Sequence, residues 1–81
     1  MSDKQIGEVY EVVSSGSAFQ GEEMFSLTKG AIIEVTKLAD PGDYGQRVTF
    51  KVISGLEDGY LDIAGREIQI THFSNVVLKK L

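Results

Sequence analysis

The chain contains no cysteine and no tryptophan, and it has one proline and one histidine. Without cysteine there can be no disulfide and no thiolate metal site, a composition that fits a reducing compartment. A lone histidine cannot build a histidine-rich zinc centre. Long apolar runs are missing too. Ala31–Ile33 and Val76–Leu78 are the longest, far below the roughly 20 residues of a membrane-spanning helix. The start Met1–Gln5 is polar and leads into no apolar stretch, so no signal peptide is legible and the expected location is cytoplasmic. No window keeps a 3.6-residue apolar period over roughly ten residues, so no α-helix is expected.

Positive charge is the scarcer sign. Twelve acidic against eight basic side chains leave a net charge of −4, which opposes non-specific attraction to nucleic-acid phosphates. The basic residues are scattered, with Lys79 and Lys80 alone adjacent. Eighty-one residues make one domain, 1–81, and a chain this short buries only about 60% of the surface that its unfolded form exposes. Its stability must come from an apolar core.

What is present is a turn-rich pattern, nine glycines between short stretches of Val, Ile, Thr, Phe and Tyr, residues that favour pleated surfaces. Ile6–Val13 reads as a strand of mixed faces and Ser14–Gly21 as a loop. Met24, Phe25 and Leu27 mark a short extended piece, and Ala31–Leu38 reads as the next strand. Asp40-Pro41-Gly42-Asp43 has the chemistry of a type II turn. Gln46–Ser54 alternates, with Val48, Phe50 and Val52 inward and Arg47, Thr49 and Lys51 outward. Gly55–Gly59 turns, Tyr60–Ala64 sets Leu61 and Ile63 inward, and Glu67–Thr71 sets Ile68 and Ile70 on one face. Residues 72–75 read as one tight turn, of 3₁₀ type, before a last strand Val76–Leu81. The expected core is Ile33, Val35, Val48, Phe50, Val52, Leu61, Ile63, Ile68 and Ile70, and Phe25 is expected to belong to it too. The class is all-β: a small, partly open barrel of five to six short antiparallel strands.

Lys29-Gly30-Ala31-Ile32-Ile33-Glu34-Val35, Gly65-Arg66-Glu67 and Ser74-Asn75-Val76-Val77, in that order, resemble the motifs of the SH3 domain. The resemblance implies an SH3-like barrel, with Ser14–Glu23 as its RT-type loop and Ala39–Gly45 as its n-Src-type loop. It implies the frame without the ligand. The family grips polyproline II segments between aromatic walls. Here there is no tryptophan, Val76 stands where the groove tyrosine would be, and Phe73 where the proline would be.

No catalytic constellation accompanies His72. Thr71 and Ser74 beside it at a tight turn suit backbone hydrogen bonding better than nucleophilic chemistry. The carboxylate pairs Asp40/Asp43, Glu22/Glu23 and Glu57/Asp58 lack the spacing of a calcium loop and read as solvated loop charge. Gly42-x-x-Gly45 is too little for a phosphate cradle. No enzyme activity, cofactor or metal is therefore expected. Phe19 and Tyr44 stand out because they lie in polar loops, where an aromatic either anchors an interface or folds back to cap a barrel end. The expected function is a protein-interaction module, an accessory inhibitor or adaptor. Phe19 and Tyr44 would be its anchors and Glu22, Glu23, Asp40 and Asp43 its acidic rim, selecting a basic or mixed-charge protein partner. The alternative is a nucleic-acid-binding barrel using the Arg47/Lys51 strand face. A small-molecule site at an oligomer interface has no motif.

Overall fold

The computed structural model describes residues 4–81; the first three positions of the polar start lie outside them. Nine strands are formed: β1 Val9–Ser14, β2 Gly16–Gln20, β3 Glu23–Leu27, β4 Ile32–Lys37, β5 Val48–Ser54, β6 Leu56–Glu57, β7 Leu61–Asp62, β8 Glu67–Ile70 and β9 Val77–Lys80. All pair antiparallel in one open sheet, in the order β7-β6-β3-β2-β8-β5-β4-β1-β9. The described residues form no helix. The protein is all-β.

Alternation decides which face is inside. Register sets Tyr10 opposite Ile33 and Ile33 opposite Val52; one step along, Val35 faces Phe50 and Phe50 faces Ile68. These residues share one buried cluster with Val12, Ala18, Leu27, Ala31, Val48, Ile63 and Ile70. Because strands from nearly the whole sheet contribute to a single cluster, the sheet must curl around it. The Phe50 ring is fully buried and meets Tyr10 edge-on, with centroids 6.4 Å apart.

The expected core is buried except at Leu61 and, in part, at Phe25. Leu61 is 40% exposed while Ile63 is 1% exposed. The strand that was to carry both ends at Asp62, and Ile63 enters the core through the turn that follows, its N–H donating to Gly55 O at 3.1 Å. Sequence alternation missed Tyr10, Val12, Ala18, Leu27 and Ala31 as core residues. Phe25 packs against the core half-buried.

Two further expectations change in detail. The segment read as a loop from Ser14 to Gly21 contains β2, which forms a hairpin with β3. β2 and the two-residue β6, which falls in the segment read as the Gly55–Gly59 turn, are the strands that were not expected, and the described residues form nine where five to six were expected. Gly16 shows why β2 lies where it does: a Cβ there would stand 2.6 Å from Ser74 O and 2.7 Å from Val76 N. Only a bare backbone permits that approach, and the neighbouring Ser17 N–H donates to Ser74 O at 3.0 Å. At 72–75 the tight turn is present without a 3₁₀ helix, closed by Ser74 N–H to Thr71 O at 3.2 Å.

The N-terminal and C-terminal segments are tied together at β1 and β9. Glu8 accepts from Lys80 Nζ at 2.8 Å, from the Tyr10 hydroxyl at 2.9 Å and from the Gln5 N–H at 2.7 Å. The Lys80 ammonium, and then those neutral donors, hold its carboxyl down at about 2. Among the described residues no helix is long and apolar enough to cross a membrane.

Candidate functional site

The loop between β4 and β5 is organised by Asp43. Its N–H donates to Asp40 O at 3.0 Å, closing a turn in which Gly42 takes the left-handed conformation (φ 84°) that a type II turn requires. Its carbonyl accepts from Gln46 N–H at 3.1 Å, closing a second turn. Its carboxylate accepts from Gly45 N–H at 3.0 Å and Arg47 N–H at 3.2 Å, with the Arg47 guanidinium at 3.6 Å. These donors, the Arg47 amide foremost, hold the Asp43 carboxyl below the usual range, so it stays ionised. Asp43 is thus committed to its own loop, and its consequence is where Tyr44 goes.

Tyr44 projects into solvent, 86% exposed. It does not fold back over the barrel end. Its ring lies 5.7 Å from that of Phe73, tilted by 40°, and Phe73 is itself 58% exposed with His72 edge-on at 5.0 Å. The two segments are joined by His72 N–H donating to Gly45 O at 2.7 Å. The 71–74 turn is braced by its own side chains. Thr71 Oγ1 accepts from Phe73 N–H at 3.1 Å, and Ser74 Oγ accepts from Thr71 N–H at 2.9 Å. Thr71 and Ser74 therefore do the backbone work expected of them.

Phe19 reaches the same region from β2, half-buried, opposite Gln69 of β8 on one side and Met24 of β3 on the other. An open cavity of about 550 Å³ lies between the hairpin and the β4–β5 loop, lined by Phe19, Asp43, Tyr44, Arg47, Gln69 and Thr71 together with Gly21, Gly42 and Gly45. Of the six residues expected at the site, Phe19, Asp43 and Tyr44 meet here. Asp40 is exposed and lines an adjoining cavity with Leu38 and Lys4. Glu22 is exposed at the hairpin turn, and Glu23 faces a different groove with Met24, Phe25 and Leu61. Phe73, His72 and Gln69 were not expected as site residues; the signal for Phe73 was its place in a motif whose aromatic neighbours are absent.

The basic strand face is arranged otherwise. Arg47 pairs with Asp43, and Lys51 lies opposite Glu34 on one side and Glu67 on the other. Acidic cross-strand neighbours cancel much of its positive potential. Among the described residues no group of His, Cys, Asp and Glu side chains could hold a metal ion. Compared with known proteins, the chain matches no family model, no curated protein and no solved structure.

Proposed function

We propose that the chain is a small, non-enzymatic protein-interaction module on an SH3-like frame, serving in the cytoplasm as an accessory inhibitor or adaptor. The frame is supported by strand order. β9-β1-β4-β5-β8 run side by side, the segment Ser14–Glu23 expected as the RT-type loop runs from the end of β1 to the start of β3, and Ala39–Gly45, expected as the n-Src-type loop, lies between β4 and β5. The function rests on one observation. Phe19 and Tyr44, distant in sequence, line one cavity, and the exposed Tyr44 and Phe73 rings stand beside it, fixed by Asp43 and by the His72–Gly45 bond. Exposed aromatic pairs held in place before binding supply apolar area at low entropic cost. Glu22, Asp40 and the net charge of −4 favour a basic or mixed-charge protein. The cancelled charge around Arg47 and Lys51 gives the nucleic-acid reading no support.

A pull-down with mass-spectrometric identification supplies the partner, and surface-binding kinetics test the site. Tyr44→Ala and Phe73→Ala are expected to speed dissociation by tenfold or more, roughly the loss of an interface anchor. Glu22→Lys with Asp40→Lys is expected to slow association and flatten its salt dependence. A folded Tyr44→Ala/Phe73→Ala protein that keeps both rates would place the contact elsewhere.

A further inference from the structure

The cavity of Phe19 and Tyr44 lies on the β8 side of the hairpin. On its other side, β3 carries the short β6–β7 hairpin through a single register pair, Leu27 with Glu57. Between the two hairpins is an open groove of about 430 Å³, with Met24, Phe25 and Leu61 as its apolar surface and Gln20, Glu23, Glu57 and Arg66 around them. Met24 is 64% exposed, and Tyr60, at the neighbouring turn, is 77% exposed. Beyond β7 no strand continues the sheet among the described residues. Among the described residues Met24 and Leu61 are left exposed there, with Phe25 half-buried between them and the core.

Charge indicates what could cover it. The two hairpins carry Glu22, Glu23, Glu57, Asp58 and Asp62 and no base, and the one base lining the groove, Arg66, precedes β8. Arg66 is already engaged, with Nη1 3.5 Å from Glu57 Oε1 and 3.3 Å from Gln20 Oε1. Asp58 and Asp62 each accept one backbone N–H, from Ser26 and Ala64, which keeps them in place and leaves their charge. A phosphate backbone would be repelled here. A second copy would bring the same net charge of −4, with Lys80 and Arg47 bound to their own carboxylates.

We propose that this groove is a second docking surface, separate from that of Tyr44, whose occupant is a basic segment of a partner protein. The segment seats an apolar side chain on Met24, Phe25 and Leu61 while its lysines or arginines meet the Glu23 and Glu57 carboxylates that line the groove. The chain would then hold two partners, or two parts of one, on either side of the β2–β3 hairpin.

The probe is a short peptide of alternating lysine and leucine, titrated into the isotopically labelled protein and followed by amide and methyl chemical shifts. Lysine–serine and glutamate–leucine peptides of the same length serve as controls. Saturable shifts are expected at Met24, Phe25, Glu57, Leu61 and Arg66. The lysine–serine peptide should bind about tenfold more weakly, the effect of losing one apolar anchor, and the glutamate–leucine peptide should not bind. Met24→Ser with Leu61→Ser should weaken the lysine–leucine peptide about tenfold, and Glu23→Lys, at an exposed turn-side position, should weaken it independently. Equal binding of lysine–serine and lysine–leucine would reduce the surface to diffuse charge attraction and overturn the proposal. Shifts at Tyr44, Gly45 and Phe73 instead would also overturn it, and would leave the first surface standing. Groove signals that move with protein concentration alone would assign the face to a second copy, again overturning it.

Discussion

Ile63 and Leu61 lie two residues apart and looked equivalent by alternation, yet one is 1% and the other 40% exposed. Truncating each to alanine measures the difference. Ile63 sits in the cluster with Phe50, Leu27 and Ile68, so Ile63→Ala removes buried methyl groups and leaves a cavity, at about 2–5 kcal/mol. An 81-residue domain has a total stability of roughly 4–12 kcal/mol, so this is a large fraction of the whole. Leu61 has its side chain on an open groove, and Leu61→Ala should cost about 0.5–1 kcal/mol. At about 4–8 °C per kcal/mol for a domain this size, Ile63→Ala should lower the melting temperature by roughly 10 °C or more and Leu61→Ala by a few degrees. Heat scans by far-UV circular dichroism, with urea titrations read by tyrosine fluorescence in the absence of tryptophan, give both values. Equal losses would mean that the strand does extend through residue 63 with both side chains inward, refuting the placement of β7.

Gly16→Ala should destabilise by about 1–3 kcal/mol through overpacking, because its Cβ would meet the Ser74 and Val76 backbone below 3.0 Å; an unchanged urea midpoint would show that β2 is not held against that segment. Glu8 has its carboxyl held down at about 2, so its contribution is complete above its ordinary 4.5 and fades as pH falls through about 2. Glu8→Gln should therefore be the less stable protein near neutrality, and the two urea midpoints should converge toward pH 2; a gap that widens on acidification would contradict the assignment. Proline-rich peptides should give no saturable shifts at Phe73 and Val76 at micromolar strength, because the aromatic walls that grip such ligands are missing.

The fold was legible where one strand face is buried over several residues. Val48-Phe50-Val52 and Ile68-Ile70 alternate cleanly, and both sets are inside. The turn at 40–43 was legible because proline and glycine fix its geometry locally. β2 was not, because Gly16-Ser17-Ala18-Phe19-Gln20 has no strand composition; what extends it is tertiary, namely pairing with β3 and close approach to Ser74. Ala18 and Ala31 are buried for the same reason, being small residues at crowded positions rather than apolar ones in a pattern. At the site, Tyr44 was legible as an aromatic stranded in a polar loop. Its ring partner Phe73 was not, since the contact depends on the His72–Gly45 bond between segments that sequence does not show to be neighbours. Glu22 and Glu23 are adjacent in the chain, yet a hairpin turn sends them to different surroundings.

That divergence governs which residues can probe each surface. Phe19 and Met24 are direct cross-strand partners, one lining the cavity beside Tyr44 and the other the groove beside Leu61. Cross-strand neighbours stabilise each other's placement, so truncating Phe19 would disturb the seat of Met24, and an effect on binding could not be assigned to one side. The hairpin is tied to the rest of the sheet by one register pair to β8, one to β6, the Ser17–Ser74 bond near its start and the bonds between Ser26 and Asp58 at its end. Tyr44 and Leu61 avoid this. Tyr44 is held by Asp43 and the β4–β5 loop, and Leu61 by the β6–β7 hairpin; neither pairs with β2, so substituting either should leave the Phe19–Met24 pairing in place. Effects of Tyr44→Ala and Leu61→Ser on two different ligands should therefore add independently, whereas Phe19→Ala combined with either should not.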